Sequence, residues 1–373
     1  MGELYIGLMS GTSLDGVDAV LAEFQPDPHA APRALAHVHL NMPEALRPAL
    51  MALNRSGPDE IHQAALAANG LMRLYALAVH DLLARTGTLA SKVRALGAHG
   101  QTVRHRPGEF DGTGYTVQLA QGALLAELTG IDTVCDFRTR DLAAGGQGAP
   151  LAPGFHAAVF SGQGRTAAVL NIGGIANLTV IPADGPVTGF DTGPGNALMD
   201  LWVLRHRGQA YDADGGWAAS GQVLPDLLAA LLAAPYFKAP PPKSTGRDLF
   251  NAEWLDAQLQ AHARGAEPVH VMATLAELTA RSAADALRQF APRAGSLWVC
   301  GGGASNGHLM RRLAAHAPGV QVDSTQARGV PADQVEALAF AWLAHAFVQR
   351  RAGNLPAVTG ARGPRILGAL YPA

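Results

Sequence analysis

The sequence predicts an α/β protein of two domains, and its length, apolar content and a repeated strand pattern agree on this. At 373 residues the chain is longer than one hydrophobic core usually serves. Hydrophobic residues make up 48% of it, which is enough for two substantial cores. An apolar strand, a small polar turn and a second apolar strand occur at residues 5–21 and again at residues 167–180. This repeat, with helical patterns following each copy, indicates a duplicated architecture.

Composition and charge exclude several classes of function. The chain carries 28 Lys and Arg against 30 Asp and Glu, so no nucleic-acid surface or polybasic membrane surface is expected. Cys135 and Cys300 lie in apolar runs outside any C-x-x-C or Cys/His cluster, which supports neither a disulfide framework nor a zinc site. The first residues already have a strand pattern, and no apolar stretch has the length of a membrane span. We therefore expect a cytoplasmic protein without a nucleic-acid or membrane partner.

The first hairpin carries a candidate phosphate loop. Its strands, residues 4–9 and 17–22, are joined by residues 10–16, which are rich in Gly, Ser, Thr and Asp. Hydroxyls and backbone amides at such a hairpin tip bind anions. A plain hairpin without a ligand is the alternative.

Polar residues follow two strands of the first half. Residues 43–85 have helical periodicity and are assigned to core packing. The strands at 93–98 and 131–135 are followed by polar residues 99–105 and 136–141, and open α/β sheets place ligands at the carboxyl ends of strands. Arginines in the second polar segment match a substrate carboxylate bidentately. A solvated loop and a structural ion-pair network are the alternatives.

Asp191 is the candidate general base. It follows a short strand at residues 187–190, and two glycines with Pro194 separate it from a helical pattern. We expect Pro194 in the first turn of that helix, because proline lacks the N–H that a helix start leaves unpaired. A carboxylate beside backbone N–H groups is what a base needs next to an anionic phosphate. The alternative is that Asp191 only caps the helix.

Three further segments of the second half invite a chemical interpretation. Lys243 and Ser244 resemble the end of a Walker A motif, but the preceding G-x-x-x-x-G is missing, so this interpretation is rejected. Residues 301–303 are glycines after an apolar strand, where the backbone can approach a nucleoside closely. Glu336 stands near the start of a helical pattern, and the alternative there is a first-turn acid favoured by the helix dipole.

Motifs spread over almost the whole chain carry a family resemblance. They are residues 9–18 (MSGTSLDGVD), 99–102 (HGQT), 145–150 (GGQGAP), 171–177 (NIGGIAN), 191–196 (DTGPGN), 243–247 (KSTGR), 300–303 (CGGG) and 336–342 (EALAFAW). With these motifs the chain resembles the anhydro-N-acetylmuramic acid kinases of bacterial cell-wall recycling. The resemblance implies the actin-like fold of sugar kinases and heat-shock chaperone ATPases, with duplicated mixed five-stranded sheets around an ATP cleft. We expect the N-terminal domain at residues 1–145 and the C-terminal domain at residues 146–373.

The resemblance also implies the reaction and its cofactors. Water opens the 1,6-anhydro ring of the sugar while ATP phosphorylates the released O6, giving N-acetylmuramic acid 6-phosphate and ADP. The cofactors would be ATP and Mg²⁺, and the partner a small-molecule sugar; a homodimer is left open. Since the sequence offers no histidine and carboxylate cage, Mg²⁺ would be held by ATP phosphates, waters and one or two carboxylates. The candidate carboxylates are Asp15, Asp18 and Glu336.

Residue roles transfer from the family motifs to the matching positions. Asp191 would be the general base, and Glu336 would assist at the metal or the sugar. The implied ATP-binding residues are Gly11, Thr12, Ser13, Leu14, Asp15, Gly16, Val17, Asp18, Asn171, Gly173, Gly174, Asn177, Gly301, Gly302 and Gly303. The implied sugar-binding residues are Thr102, Asp136, Arg138, Arg140 and Asp141. Because Thr139 stands where the family often has arginine, the contact positions within 136–141 stay open.

Two other functions are weighed against this kinase. One is a different kinase of the same fold that acts on an ordinary sugar or a carboxylate. The other is a chaperone-like or actin-like module that uses ATP as a conformational switch. Chaperones of that type carry an extra peptide-binding domain, for which this sequence leaves no room after Leu370.

Overall fold

The computed structural model describes residues 2–11, 14–25, 31–161, 164–241, 243–246 and 249–373. Thr12 and Ser13 of the expected phosphate loop, and Arg247 of the 243–247 motif, lie outside the described residues. Within the described ranges, no helix is both long enough and apolar enough to cross a membrane.

Most strands lie where the sequence patterns predict them, whereas residues 33–41 and 101–107 form strands that were not predicted. The strands are β1 (Glu3–Met9), β2 (Gly16–Phe24), β3 (Arg33–Asn41), β4 (Val93–Ala98), β5 (Gln101–Pro107), β6 (Gly114–Leu119), β7 (Thr133–Cys135), β8 (Ala167–Ile172), β9 (Ile175–Ile181), β10 (Thr188–Pro194), β11 (Ser296–Cys300), β12 (Gln321–Ser324) and β13 (Ala369–Tyr371). The helices are α1 (Leu46–Ala52), α2 (Glu60–Thr86), α3 (Gly122–Thr129), α4 (Thr139–Ala143), α5 (Ala152–Phe160), α6 (Ala197–Arg207), α7 (Gly216–Ala219), α8 (Pro225–Leu232), α9 (Pro235–Lys238), α10 (Ala252–His262), α11 (Pro268–Phe290), α12 (Gly307–His316), α13 (Val335–Val348) and α14 (Pro356–Thr359).

The chain divides into two compact units. Unit 1 comprises Met1–Val159 together with Gln334–Ala373, and unit 2 comprises Phe160–Asp333. This division differs from the expected boundary after residue 145, and it returns the last part of the chain to unit 1. The physical reason is α13, which packs on β1 and β4 of unit 1.

The two main sheets repeat one strand order. In unit 1 the order within the described residues is β13-β7-β4-β1-β2-β3, and in unit 2 it is β10-β9-β8-β11-β12. Each sheet contains a three-stranded antiparallel meander whose first strand pairs in parallel with the next strand of the sheet. The expected duplication of mixed sheets is therefore confirmed. Unit 1 adds β13, antiparallel to β7, to the five strands that both units share.

Close backbone contact holds α13 on the sheet of unit 1. A Cβ atom at Gly7 in β1 would lie 1.8 Å from the carbonyl oxygen of Ala337. A Cβ atom at Gly97 in β4 would lie 2.0 Å from that of Phe340. Any side chain at these two strand positions would push the helix away, so glycine is required there.

Each unit has its own hydrophobic core beneath a long helix. In unit 1, α2 buries a stripe that packs on the sheet, and Gly70 lies within this helix rather than ending it. The buried stripe includes Leu71, Tyr75, Val79 and Leu82, at the spacing that one helix face requires. In unit 2, α11 takes the corresponding place, because it precedes β11, the fourth strand of this unit in chain order, as α2 precedes β4 in unit 1.

Candidate active site

A row of polar residues crosses the sheet of unit 2. Asn171 in β8 pairs with Asn177 in β9, and Asn177 pairs with Asp191 in β10. On the other side of β8, Asn171 pairs with Cys300, the last residue of β11. Directly opposed residues of neighbouring strands share one face of a sheet. The structure therefore brings together three predicted site residues from motifs far apart in sequence.

The strand changes course immediately after Asp191. The pairing of β10 with β9 shifts register between Asp191 and Gly193, which is a β-bulge. Pro194 closes β10 opposite Ile175, and α6 begins only at Ala197. The expectation that Pro194 stands in the first turn of the helix was wrong, because the bulge extends the strand past the glycine.

Asp191 is held by a loop from later in the chain. Its N–H donates to the carbonyl oxygen of Lys243 at 3.1 Å. Its Oδ2 accepts the N–H of Thr245 at 2.9 Å, and its carbonyl oxygen accepts the hydroxyl of Tyr236 at 2.7 Å. The residue at the N-cap of α6 is Asn196, so Asp191 does not cap that helix.

Burial changes the acidity of Asp191. Removal from water raises the pKa of its carboxyl group to about 6, and the Thr245 N–H and the Lys243 ammonium only partly oppose this. A carboxyl group with this pKa is ionised at neutral pH and still basic enough to accept a proton during a reaction. Such a perturbed group beside a β-bulge is a candidate catalytic residue.

The glycine turn between β8 and β9 is tied to the start of α6. The carbonyl oxygens of Gly173 and Gly174 accept N–H groups of Asn196 and Gly195 at 2.8 and 2.9 Å. The side chain of Asn196 also donates to the carbonyl oxygen of Ile172 at 3.1 Å. This expected phosphate turn thus shares its hydrogen bonds with the segment that follows Asp191.

The glycine segment after β11 lies against the same turn. Gly301 has φ +77°, and a Cβ atom there would lie 2.4 Å from Oδ1 of Asn171. A Cβ atom at Gly303 would overlap the side chain of Ile172. In contrast, a Cβ atom at Gly302 would meet nothing nearer than 3.6 Å. Gly301 is therefore the position where both conformation and space require glycine.

In the β1–β2 hairpin of unit 1, side chains of three expected ATP-binding residues are buried or already hydrogen-bonded within the protein. Leu14 and Val17 of the expected ATP-binding set are buried in the core, so only their backbone could meet a ligand. Asp18 pairs with Met9 and with His39 across the sheet. Its Oδ1 accepts Nε2 of His37 at 2.9 Å and Nδ1 of His39 at 3.0 Å. Burial would raise the pKa of Asp18, but these two hydrogen bonds outweigh it and lower the pKa.

Arg138 belongs to a buried polar network that the sequence did not predict. Its guanidinium donates to Nε2 of His99 at 2.9 Å and to the carbonyl oxygen of Gly148 at 2.8 Å. Burial and this cation lower the pKa of His99 to about 3, so its ring is neutral and donates from Nδ1 to the carbonyl oxygen of Ser10 at 3.3 Å. Burial lowers the pKa of Arg138 to about 10, and the negative charge of Glu336 partly opposes this shift.

The network connects three predicted motifs of unit 1. Ser10 begins the hairpin turn, and its hydroxyl donates to Gln101 at 2.5 Å. His99 and Gln101 stand in the HGQT motif, of which only Thr102 was given a role. Thr102 itself accepts the Gln118 amide at 3.3 Å on the β5–β6 ribbon. His99 and Gln101 are buried polar residues next to strand ends. Their place in the HGQT motif is the sequence signal that could have identified them.

The expected sugar-binding residues of segment 136–141 separate into two groups. Asp136 and Arg140 are exposed. Asp141 is wholly buried, and its carboxylate accepts the Gly148 N–H, the Asn354 amide and the Thr359 hydroxyl at 2.7, 2.7 and 2.8 Å. These contacts favour a structural role for Asp141, which fastens residues 354–359 to the loop after α4.

The described residues hold no group of three or more His, Cys, Asp and Glu side chains that could bind a metal ion. Asp15 is exposed at the hairpin tip, and Glu336 is exposed in the first turn of α13. Asp18 is less exposed than either, and one of its carboxylate oxygens contacts the two histidines. This donor set suits an ion carried mainly by a polyphosphate rather than by a protein cage.

Two units that share one strand order define the actin-like α/β fold class, in which sugar kinases occur. The family model described as anhydro-N-acetylmuramic acid kinase matches residues 3–373. The chain belongs to this family, whose members are phosphotransferases with an alcohol group as acceptor.

Individual relatives agree with the family match. A protein of Variovorax paradoxus named anhydro-N-acetylmuramic acid kinase is 63% identical over 378 residues, covering all of both chains. One of Cupriavidus metallidurans with the same name is 56% identical, covering 99% of this chain and 98% of its own. Among solved structures, the ADPNP-bound activator of the 2-hydroxyisocaproyl-CoA dehydratase from Clostridium difficile is 12% identical, with a TM-score of 0.47 over 93% of this chain and 96% of that one. The fold assignment rests on the strand order and not on this likeness.

Proposed function

We propose that this chain is the ATP-dependent kinase that opens the 1,6-anhydro ring of 1,6-anhydro-N-acetylmuramic acid and phosphorylates O6, in the cytoplasm, during murein recycling. The products are N-acetylmuramic acid 6-phosphate and ADP. The observation that carries the proposal is the family match over residues 3–373, together with a relative that is 63% identical over the whole chain. The setting of Asp191 supports the chemistry.

Asp191 acts as the general base for both bond changes. It takes a proton from a water molecule, whose oxygen forms a bond with the anomeric carbon of the sugar. The bond between that carbon and O6 breaks, and the electron pair on O6 attacks the γ-phosphorus of ATP. The bond from this phosphorus to the bridging oxygen breaks and ADP leaves. A carboxyl group with pKa about 6 suits this role, because it is ionised at pH 7 and accepts the proton readily.

Backbone groups and glycines receive the nucleotide. Ser10, Gly11 and Gly16 of the first hairpin and the turn at 173–174 offer small residues at strand ends, where N–H groups can meet phosphate oxygens. The backbone at 301–303 would face the adenosine, since Gly301 lets this segment lie close against Asn171 and a Cβ atom at Gly302 beside it would have no neighbour nearer than 3.6 Å. Phosphoryl transfer needs mostly positioning and charge neutralisation of this kind.

Mg²⁺ fits the carboxylates that the chain supplies. One or two of the candidates Asp15, Asp18 and Glu336 would hold it together with waters and the ATP phosphates, as is common for Mg²⁺. When bound, the ion neutralises charge on the transferring phosphoryl group. Asp18 is well suited to a cation because its two histidine donors keep it ionised.

The sugar meets the segment after β7 and the ribbon. Thr102, Asp136 and Arg140 are part-buried or exposed, so they can contact a ligand. Arg140 matches the lactyl carboxylate of the sugar. Arg138 contributes its charge from the buried network, held by His99.

Coupled detection of ADP release tests this function. We expect turnover with 1,6-anhydro-N-acetylmuramic acid and ATP, and a product whose mass corresponds to addition of water and a phosphoryl group. Turnover only with an ordinary sugar or a carboxylate would support the different kinase. Sugar-independent ATP hydrolysis would support the ATP-driven switch. Sedimentation of the purified protein would test the homodimer, which stays a prediction.

A further inference from the structure

A loop from an insertion in unit 2 reaches back to the general base. The strands β10 and β11 are separated by α6–α10 as well as α11, whereas α1 and α2 alone separate β3 from β4 in unit 1. Within this extra segment, residues 243–246 lie against β10 at Asp191. These residues belong to the motif at 243–247 that carries the family resemblance, but the resemblance assigns them no role.

The loop grips Asp191 at both its backbone and its carboxylate. The Asp191 N–H donates to the carbonyl oxygen of Lys243, and the Thr245 N–H donates to Oδ2 of Asp191. Among the described residues, Oδ2 has this donor and Oδ1 has none. A single backbone donor on one oxygen fixes the plane of a carboxylate and leaves the other oxygen for a reactant.

The loop is itself anchored, so it can fix the carboxylate. The Lys243 ammonium donates to the carbonyl oxygen of Tyr236 at 3.2 Å and lies 4.7 Å from the centre of the Tyr236 ring. Tyr236 also donates its hydroxyl to the Asp191 carbonyl oxygen. Its ring packs edge-on against Phe250, which is 1% exposed. The anchor therefore belongs to the core of unit 2 rather than to a solvated surface.

We propose that residues 243–245 are the positioning element of the base: the Thr245 N–H holds Oδ2 of Asp191 so that Oδ1 faces the reacting water, and the Lys243 ammonium favours the charged carboxylate. Thr245 and Lys243 are positioning residues, since they act through Asp191. The inference rests on the proposed function, because it presupposes that Asp191 is the base.

The charged and titratable groups around Asp191 set the direction of the test. In the described part of unit 2 these are Lys243 from the loop and Tyr236 from α9. The Thr245 N–H and Lys243 both lower the pKa of Asp191 against the effect of burial. Loss of either one therefore raises this pKa further, and the acidic limb of the pH profile moves to higher pH.

The test compares Thr245→Pro, which lacks the N–H, with Thr245→Val, which keeps it. We expect the acidic limb of kcat/KM to rise by about one pH unit in Thr245→Pro, the size expected for one hydrogen bond to a charged group. Thr245→Val should keep the wild-type limb. Lys243→Met should move the limb in the same direction as Thr245→Pro, and Lys243→Arg should restore it.

A second readout does not depend on turnover. The carboxyl ¹³C resonance of Asp191, assigned by its loss in Asp191→Asn, reports the pKa directly in the free protein. An unchanged Asp191 titration in folded Thr245→Pro and Lys243→Met would overturn the inference while leaving the proposed function intact. If Thr245→Pro does not fold by circular dichroism, Lys243→Met against Lys243→Arg decides. A wild-type protein without turnover would overturn the proposed function, and the ¹³C titration would still test whether the loop controls Asp191.

Discussion

Asp18 and Asp191 are carboxylates near the turn ends of two sheets with the same strand order, yet their surroundings are opposite. Asp18 accepts two histidine donors, and these lower its pKa against the effect of burial. Asp191 has one backbone donor and a nearby ammonium, and burial raises its pKa to about 6. The first carboxylate stays charged, which suits a cation. The second can take up a proton, which suits a base.

The difference shows how a duplicated scaffold can acquire two chemical roles. Strand order and register place a polar side chain near the same sheet end in each unit. What differs is the source of the hydrogen-bond donors. In unit 1 they come from His37 and His39 of the neighbouring strand β3, which are 19 and 21 positions from Asp18. In unit 2 the donor comes from an inserted loop more than fifty residues away, as Thr245 and Asp191 are 54 positions apart.

The largest expected effect is the loss of activity in Asp191→Asn. The substitution keeps the shape and removes the base, and general-base catalysis is worth about 10² to 10⁴ in rate. Because one base serves both bond changes, we expect a loss of about 10⁴ in kcat, with ring opening and phosphorylation lost together. Coupled ADP release and detection of the free sugar measure the two steps.

Asp226→Asn is the matched control, since it removes an exposed acid from the first turn of α8. Labelled water gives a sharper check on the wild-type protein. In ¹⁸O water the product phosphate should carry no label, because the oxygen that attacks phosphorus comes from the sugar. Label in the phosphate, or ring opening without ATP consumption in Asp191→Asn, would show that the steps are separate.

The second-largest expected effect is a loss of stability in Asp141→Ala, which tests whether the Asp141 carboxylate has a structural role. Asp141→Ala leaves the Gly148 N–H, the Asn354 amide and the Thr359 hydroxyl without their acceptor. Each buried unsatisfied group costs about 1 to 3 kcal/mol, so we expect the free energy of unfolding to fall by about 3 kcal/mol. Urea denaturation measures it. A stable Asp141→Ala with a raised KM for the sugar would instead assign Asp141 to the ligand.

The comparison of Asp18 with Asp191 predicts stability changes of opposite sign. The raised pKa of Asp191 stabilises the folded state at low pH, and this contribution is lost as pH rises from about 4 to about 6. Asp191→Asn should therefore be more stable than wild type at pH 7 by up to about 3 kcal/mol and similar at pH 4. The lowered pKa of Asp18 stabilises the protein above the acid range, so Asp18→Asn should lose stability at pH 7. Equal signs for the two variants in thermal unfolding would contradict the comparison.

The smallest expected effect separates two neighbouring glycines of unit 2. Gly301→Ala forces a side chain into a positive φ and against Oδ1 of Asn171. We expect its KM for ATP to rise about tenfold, since a left-handed residue with a Cβ costs about 1 to 2 kcal/mol. Gly302→Ala meets only ordinary contacts and should keep the wild-type KM. Equal KM values in initial-rate measurements would remove Gly301 from the nucleotide site.

Sequence reasoning predicted the features that depend on local pattern. The duplicated hairpins, the strand before Asp191 and the glycines after β11 follow from apolar runs and turn residues. The register that aligns Asn171, Asn177 and Asp191 was not predicted, because pairing between strands is not written in a single strand. The motif at 243–247 was recognised, but its contact with Asp191 depends on the tertiary structure, which the motif alone does not show.

Two further features were not visible in the sequence, for the same physical reason. The segment 136–141 is expected to bind the ligand, and this stays a prediction, but Asp141 within it is held by partners as far as 218 positions away. The expected end of the first domain missed the return of α13, because the glycines that receive it, Gly7 and Gly97, look like ordinary strand residues in the sequence. Long-range contact decides both cases.

The return of α13 to unit 1 has a consequence for synthesis. Residues Phe160–Asp333 form one continuous stretch with their own sheet and core, whereas unit 1 needs Gln334–Ala373 as well. The second unit is therefore the first whose chain is complete as it leaves the ribosome, and domains generally fold as units. Until α13 emerges, the face of β1 and β4 around Gly7 and Gly97 lacks its helix. Nascent chains should be most vulnerable to aggregation and proteolysis at that face.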